Sequence, residues 1–293
     1  MDRQLSAPAA QRSGIDLTAY FDRVGYAGPT EPTLATLTGL VAAHVRGIPF
    51  ENLDPLTGVP VIDLGAPALA AKLVAQRRGG YCYEHNNLMR YVLTDLGFDV
   101  VPLGGRVVWM SPTGLDGPPH AETHLALVVR IPGVETPYFV DVGFGGQTLT
   151  SPIRLVVDEV QETPHEPFRL RAGGGGVAGN GYVLESLIGK DWRPLYTFDR
   201  RPKPLIDMQV GSWYVSTYPE SIFVVGLSAA AVTDDARWNL RGRNLTVHRR
   251  DGGTERVRFD DAAQVCEALT DRFGIDVSGL DDFEARVAQV LDS

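Results

Sequence analysis

Apolar and polar positions alternate with two different periods along the chain, and the change of period divides it. Over the first hundred residues the period is helical. Asp16 is placed to cap a short helix through Tyr20 and Arg23. A second helix is predicted from about Glu31 to Arg46, with Leu34, Leu37, Val41 and His44 on one stripe, and a third from Pro67 to Gln76. A fourth begins near Cys82, where Met89, Val92, Leu93 and Leu96 recur at helical spacing and Gly97 provides the stop.

Past Gly97 the period shortens to strict alternation. β-rich runs are predicted at Val100–Leu103, Arg106–Met110, His124–Ile131, Tyr138–Val142, Phe168–Arg171 and Tyr182–Ser186. Turn clusters rich in Gly and Pro separate them, the pattern of antiparallel strands curling into a small barrel. A third region starts around Pro204. It is expected to hold strands near Ile222–Val225 and Leu245–His248 and two closing helices, Asp261–Phe273 and Asp281–Leu291. Gly174, Gly176 and Gly179 match GxGxxG. A dinucleotide fingerprint needs a strand before it and a helix after it, and strands are predicted on both sides here, so this stretch reads as a flexible hairpin loop.

Composition narrows the classes without naming a function. A chain of 293 residues exceeds one compact core, while 44% apolar and 22% charged residues argue against a disordered or fibrous protein. The net charge of −9, with no basic stripe, argues against nucleic acid or an anionic membrane as a partner. The apolar stretch Leu34–Val45 is broken by Thr36, Thr38 and His44, so no bilayer-spanning segment is expected. Residues 1–14 lack an apolar run and read as a loose terminus, not a signal peptide. Only Cys82 and Cys266 occur, which suits a reducing cytoplasm. Cys266 lies on an apolar stripe with Val265, Leu269 and Phe273 and reads as core packing.

The run Arg77-Arg78-Gly79-Gly80-Tyr81-Cys82-Tyr83-Glu84-His85-Asn86 carries the most chemistry. Two glycines let the backbone turn, and Cys82 then falls in the first turn of a helix, where unpaired N–H groups favour an anion. That is where a nucleophilic thiolate belongs. The alternative is a buried structural thiol, against which the polar neighbours weigh. A nucleophile needs a base and the base an orienter. His124 and Asp141 lie on two β runs joined by a hairpin centred on Pro132–Gly133. That register opposes them directly, and a two-residue shift keeps them on one face. A zinc site can be drawn from Cys82, His85, His120 and His124, but His120 follows Gly117-Pro118-Pro119 in a loop, so no metal is expected.

These segments resemble the arylamine N-acetyltransferases of bacterial type. The matching stretches are Tyr20–Gly25, Ile48–Leu53, Arg77–Asn86, Thr123-His124, Asp141–Gln147 and Trp213–Phe223, in the family's order. The resemblance implies an α+β fold with a cysteine-protease-like catalytic core. Its parts would be a flexible terminus (1–14), a helical bundle (15–98) carrying the thiol, an antiparallel β-barrel (99–203) carrying His and Asp, and an α/β lid (204–293). It implies a ping-pong transfer from acetyl-CoA to arylamines, arylhydrazines or hydrazides, with Cys82 the acyl acceptor, His124 its base and Asp141 the orienter.

By the same resemblance, Thr123, Gly143, Gly145 and Gly146 would face coenzyme A, and Phe50, Phe144 and Phe223 would line an aromatic wall for the amine. Arg23, Glu51 and Arg77 would form a buried ion network, and the protein would be a monomer or a weak homo-oligomer. The chain departs from the pattern in an N-terminus about a dozen residues longer than bacterial relatives, and in Ser212 and Met208, where Asn and Phe are common. Arg241, Arg243, Arg249 and Arg250 could meet coenzyme A phosphates or form ordinary solvated surface. Two rival readings share the same residues: a cysteine hydrolase or transglutaminase-like acyltransferase, and a non-catalytic acyl-CoA-binding protein.

Overall fold

The computed structural model describes residues 13–173 and 181–292. The Gly174, Gly176 and Gly179 match lies outside the described residues, as does the expected loose terminus up to residue 12. Ser13 is already anchored, its N–H and hydroxyl both donating to Asp95 at 2.7 Å.

The helical beginning forms because each helix has a local start. Helix α1 (Leu17–Val24) opens at Asp16, whose carboxylate accepts from the N–H groups of Thr18 and Ala19, and closes at Gly25 in the left-handed region. Helix α2 (Leu34–Gly47) is followed by a two-residue strand β1 (Phe50–Glu51) and a short helix α3 (Leu53–Leu56). Helix α4 (Ala66–Leu69) runs into a π-helical turn, Ala70–Ala75, and α5 (Cys82–Asp95) completes the group.

Seven antiparallel strands follow: β2 (Asp99–Val107), β3 (His124–Arg130), β4 (Tyr138–Val140), β5 (Ile153–Arg154), β6 (Phe168–Ala172), β7 (Tyr182–Ile188) and β8 (Asp191–Pro202). Their order is β5-β4-β3-β2-β8-β7-β6. Val157 and Gln161, just past β5, bridge Leu170 and Phe168 of β6, so the sheet nearly closes into a barrel. Strand β3 serves two cores. Leu125, Leu127 and Val129 face the helices, while Ala126 and Val128 face the barrel interior with Phe139 and Phe168.

Two β expectations change. Val100–Leu103 and Arg106–Met110 are not separate strands but one, because Gly104 and Gly105 continue the ladder through a bulge opposite β8. A Cβ on Gly105 would lie 3.2 Å from the Tyr196 ring and 3.3 Å from that of His124. Strand β8 itself was not expected. Pro194 disguises it, and the ladder accommodates that proline at a second bulge, opposite Glu185.

The last region contains α6 (Leu205–Thr217), α7 (Ile222–Val225), β9 (Ser228–Val232), β10 (Ala236–Arg241), β11 (Asn244–Arg249), β12 (Thr254–Arg258), α8 (Ala262–Asp271) and α9 (Phe283–Leu291). Ile222–Val225 is thus a helical turn and not the expected strand. The Ser221 hydroxyl accepts from the Phe223 N–H and its carbonyl from those of Val224 and Val225, so local capping outweighs β-branched composition. The second sheet, β1-β9-β10-β11-β12, takes its edge strand from the helical beginning: Phe50 pairs with Ala230 and Glu51 with Ala229. Helices α8 and α9 pack against this sheet, with Cys266 half-buried at the margin of their core.

A buried ion cluster locks the approach to α5. Arg78 contacts Glu51 at 2.8 Å and Asp54 at 2.7 Å, and Lys72 contacts Asp54 and Glu84 at 2.7 Å each. The expected network of Arg23, Glu51 and Arg77 is corrected here. Arg77 is exposed, in the left-handed region at φ 53°, and it is Arg78 that turns inward. Arg23 is buried but spends its guanidinium on the backbone carbonyls of Leu73, Gly47 and Arg78. Three carboxylates share two cations, so one is short of charge: burial and its acidic neighbours push Glu84 up to about 7, against Lys72.

Arg78→Ala should therefore strand Glu51, leave Asp54 to Lys72 alone, and destabilise the fold by roughly 3–5 kcal/mol. Arg77→Ala should stay within about 0.5 kcal/mol of the parent. Urea unfolding of both variants checks the contrast.

Candidate active site

Cys82 is the first residue of α5, and the helix is aimed by its own first turn: the Tyr81 N–H donates to the Glu84 carboxylate at 3.0 Å. The two preceding glycines serve close approach more than turning. Side chains there would strike the Pro49 carbonyl from Gly79 and the Glu84 carboxylate from Gly80. The thiol is 4% exposed, with Sγ 3.7 Å from the Thr123 carbonyl oxygen.

His124 begins β3 and points into the barrel end. Its Nε2 lies 2.7 Å from Asp141 Oδ2, and because a carboxylate only accepts, this nitrogen carries a proton. The ladder joining β3 to β4 pairs Leu127 with Val140 and Val128 with Phe139. The hairpin is therefore offset by two residues from the directly opposed register, and His124 meets Asp141 on the diagonal of one face. Asp141 accepts three further bonds: Tyr196 OH at 2.6 Å, Asn86 Nδ2 at 3.0 Å and the Gly143 N–H at 3.0 Å. Burial opposes ionisation of both partners and is outweighed. Asp141 sits below its usual value through His124, Tyr196 and Asn86, and His124 is raised to about 10 through Asp141 and the adjoining Cys82.

Asn86 and Tyr196 escaped the sequence reading as site residues. Asn86 had a signal: it sits four residues after Cys82 on the same helix face, an amide in a buried turn. It donates to the Leu125 carbonyl at 2.7 Å and accepts from the Val142 N–H at 3.1 Å. Tyr196 had none, because its strand was not recognised.

The other residues singled out in the sequence fall into four groups. Gly143 is pressed on the nucleophile, where a Cβ would come within 2.8 Å of the Cys82 Cα. Gly145, in the left-handed region, lies against the Phe50 ring, and Gly146 lies against Asn239. Phe144 meets His124 edge-on at 5.2 Å, while Phe223 packs beside Phe50 at 6.1 Å and Tyr81 at 5.5 Å. Ser212 holds the Tyr81 hydroxyl at 2.6 Å, and Met208 borders a small cavity with His124. Among the four arginines, Arg243, Arg249 and Arg250 are engaged by Asp292, Asp235 and the Asp234 carbonyl, and Arg241 lies against the Met110 sulfur.

The residues drawn as a zinc set are dispersed among other partners. His120 bonds Ser111, whereas His85 sits in a buried chain running Tyr20 OH, His44, His85 and the Pro49 carbonyl, at 2.9, 2.9 and 3.1 Å. The terminal carbonyl only accepts, so each link in turn must donate toward it: His85 Nε2, His44 Nε2 and Tyr20 OH. Burial holds both imidazoles neutral, with His85 lowered to about 4. The chain braces the His85 ring parallel to Phe50.

The chain is similar to known proteins over most of its length. A family model described as N-acetyltransferase matches residues 33–282. An arylamine N-acetyltransferase of Mycolicibacterium smegmatis is 58% identical over 281 residues, covering 95% of this chain and 99% of the relative. The solved arylamine N-acetyl transferase of M. smegmatis superposes with a TM-score of 0.90, covering 95% of this chain and 100% of that one at 58% identity. The arylamine N-acetyltransferase of Mycobacterium marinum, solved in complex with CoA, gives 0.87 at 54% identity and covers 94% and 98%.

The His124–Asp141 pair sets a pH signature. His124 is raised from 6.5 to about 10, so the pair's stabilisation is complete below pH 6.5 and fades as pH climbs to about 10. Asp141 is lowered from 3.8, so the contribution also needs a pH above its depressed value. The stability gap between the parent and Asp141→Asn should be widest between pH 3.8 and 6.5 and shrink toward pH 10. Urea titrations across that range test it, and a gap that held constant to high pH would show a neutral imidazole.

Proposed function

Because the chain belongs to the arylamine N-acetyltransferase family and is an acyltransferase, we propose that it moves acetyl from acetyl-CoA to arylamines, arylhydrazines or hydrazides through an acetyl-Cys82 intermediate. The observation that carries this reading is the imidazole of His124, anchored at 2.7 Å by Asp141 beside a thiol at a helix start. In the first half-reaction the Cys82 sulfur, its proton held by His124, bonds to the acetyl carbon of the thioester. The bond from that carbon to the coenzyme A sulfur breaks, and His124 returns the proton to the departing sulfur. In the second, the amine nitrogen bonds to the acetyl carbon, the bond to Cys82 breaks, and His124 takes the amine proton. Asp141 keeps the imidazole in one tautomer and balances its charge throughout.

Phe50, Phe144 and Phe223 supply the flat apolar wall that an aromatic amine requires. Thr123, Gly143, Gly145 and Gly146 are assigned to the coenzyme A side, since the Thr123 carbonyl and Gly143 adjoin Cys82 and Gly145 and Gly146 continue the turn after Gly143. The M. marinum relative was solved in complex with CoA, which supports a coenzyme A thioester as the co-substrate. We read the chain as a helical unit (15–98), a barrel (99–203) and a lid (204–293), each with a hydrophobic cluster centred on it. The clusters are shared at the borders, where Leu125, Leu127 and Val129 join the helical cluster and Leu53 and Leu56 that of the lid. Strand β1 crosses from the first unit into the third. A cytoplasmic setting fits its two unpaired cysteines, and no helix among the described residues is long and apolar enough to cross a membrane.

Mixing the protein with acetyl-CoA and no amine should leave one acetyl group on Cys82, detected by mass spectrometry. Labelled acetyl should then pass to an added aniline or hydrazine. Cys82→Ser should keep the fold and lose at least about a thousandfold in transfer. Peptide cleavage without acetyl transfer would reject the proposal in favour of a hydrolase, and an inert Cys82 would leave only an acyl-CoA-binding protein.

A further inference from the structure

Helix α6 is apolar on both sides, and only one side is covered. Its buried face carries Met208, Ser212, Val215 and Ser216, whereas Ile206, Val210, Trp213 and Tyr214 stand exposed on the opposite side. The inner serines are satisfied: Ser212 Oγ donates to the Val61 carbonyl at 2.6 Å, and Ser216 Oγ accepts the Val61 N–H at 3.1 Å. That segment adds exposed Val59 and Ile62, while Tyr218 stacks on Tyr214 at 5.0 Å and Ile222 and Val225 extend the patch onto α7. With Leu205, ten of the sixteen large apolar side chains exposed among the described residues lie in these two segments, each 38–72% exposed.

Isolated exposed apolar residues are ordinary, but a concentration of them is not. A large aromatic side chain presents about 150–250 Å² and an aliphatic one somewhat less, so the ten leave roughly 900 Å² in water. An ordinary monomer's largest apolar patch is about 300–600 Å², and a standard interface takes about 800 Å² from each partner. The active site does not need this face, since the side of α6 that adjoins His124 is the inner one, through Met208.

Charge narrows the occupant. Across residues 55–64 and 204–226 the only charged side chains are Asp63, Asp207 and Glu220, with no Lys, Arg or His. Of the basic residues just before the face, Arg201 pairs with Asp199 and Lys203 with Glu122, and the face itself offers no cation to a phosphate backbone or an anionic lipid. The central row is uncharged, and such a row can pack against an identical one about a two-fold axis. An antiparallel pairing centred between Val210 and Trp213 sets Val210 of each copy against Trp213 of the other and brings no two acids face to face.

We infer that this face is the contact surface of a homodimer, α6 packed against α6, with the loop at Val59–Ile62 and helix α7 at its margins. Sedimentation velocity on the purified full chain should show a monomer–dimer transition with a Kd of about micromolar. Val210→Lys and Trp213→Asp should abolish the dimer, shifting the apparent Kd by at least about a hundredfold. Acetyl transfer per active site should stay at the parental rate, and Val210→Lys, altering one exposed side chain, should keep the parental melting temperature. A parent that stays monomeric to about 200 µM, well above that Kd, overturns the proposal and assigns the patch to a different protein or to the chain's first twelve residues. Dimerisation by the folded Val210→Lys variant as tight as the parent's overturns it equally.

Discussion

The carboxylate of Asp141 is the point on which the site depends. It is fully buried, and a buried carboxylate is tolerable only when its oxygens are occupied. Four donors occupy them, from the nucleophile helix (Asn86), strands β3 and β8 at the barrel end (His124 and Tyr196) and the turn that follows Asp141 itself (Gly143). Satisfying one charge thereby brings together three stretches of chain that are remote in sequence. The same bonds that make Asp141 affordable fix the imidazole beside the thiol.

Close approach is the second constraint. The glycines around the site are needed less for unusual backbone angles than because something occupies the space where a Cβ would stand. Gly143 abuts Cys82, Gly105 abuts His124 and Tyr196, and Gly79 abuts the Pro49 carbonyl. Beneath them the Lys72 and Arg78 cluster and the Tyr20–His44–His85 chain stiffen the entry to α5. One uses charge, the other a run of neutral donors with a single direction. The first turn of α5 is consequently braced from two sides.

Helix periodicity and capping residues were legible because they act within a few residues, as Asp16 and Gly97 show. The β-run containing His124 was legible as a short, continuous apolar run rich in Val and Leu. Strand β8 was not, since Pro194 reads as a breaker unless the partner strand supplying the bulge is known. Ile222–Val225 misled in the opposite direction, β-branched in composition yet helical under the Ser221 cap. Between Arg77 and Arg78, composition cannot decide which turns inward. The left-handed backbone at Arg77 does.

By itself the sequence determined the helical, β-rich and mixed stretches, the placing of Cys82 at a helix start and the pairing of His124 with Asp141 on one strand face. Each follows from short-range periodicity, and the parity of a strand survives a two-residue error in register. Only the tertiary structure decided that the register is the offset one and that Asn86 and Tyr196 complete the carboxylate's shell. It alone also showed that Arg78 takes the buried ion pair and that α6 leaves its largest apolar side chains in water. These are long-range outcomes, set by which buried charge finds which donor and which face is left without a neighbour, and no local pattern encodes them.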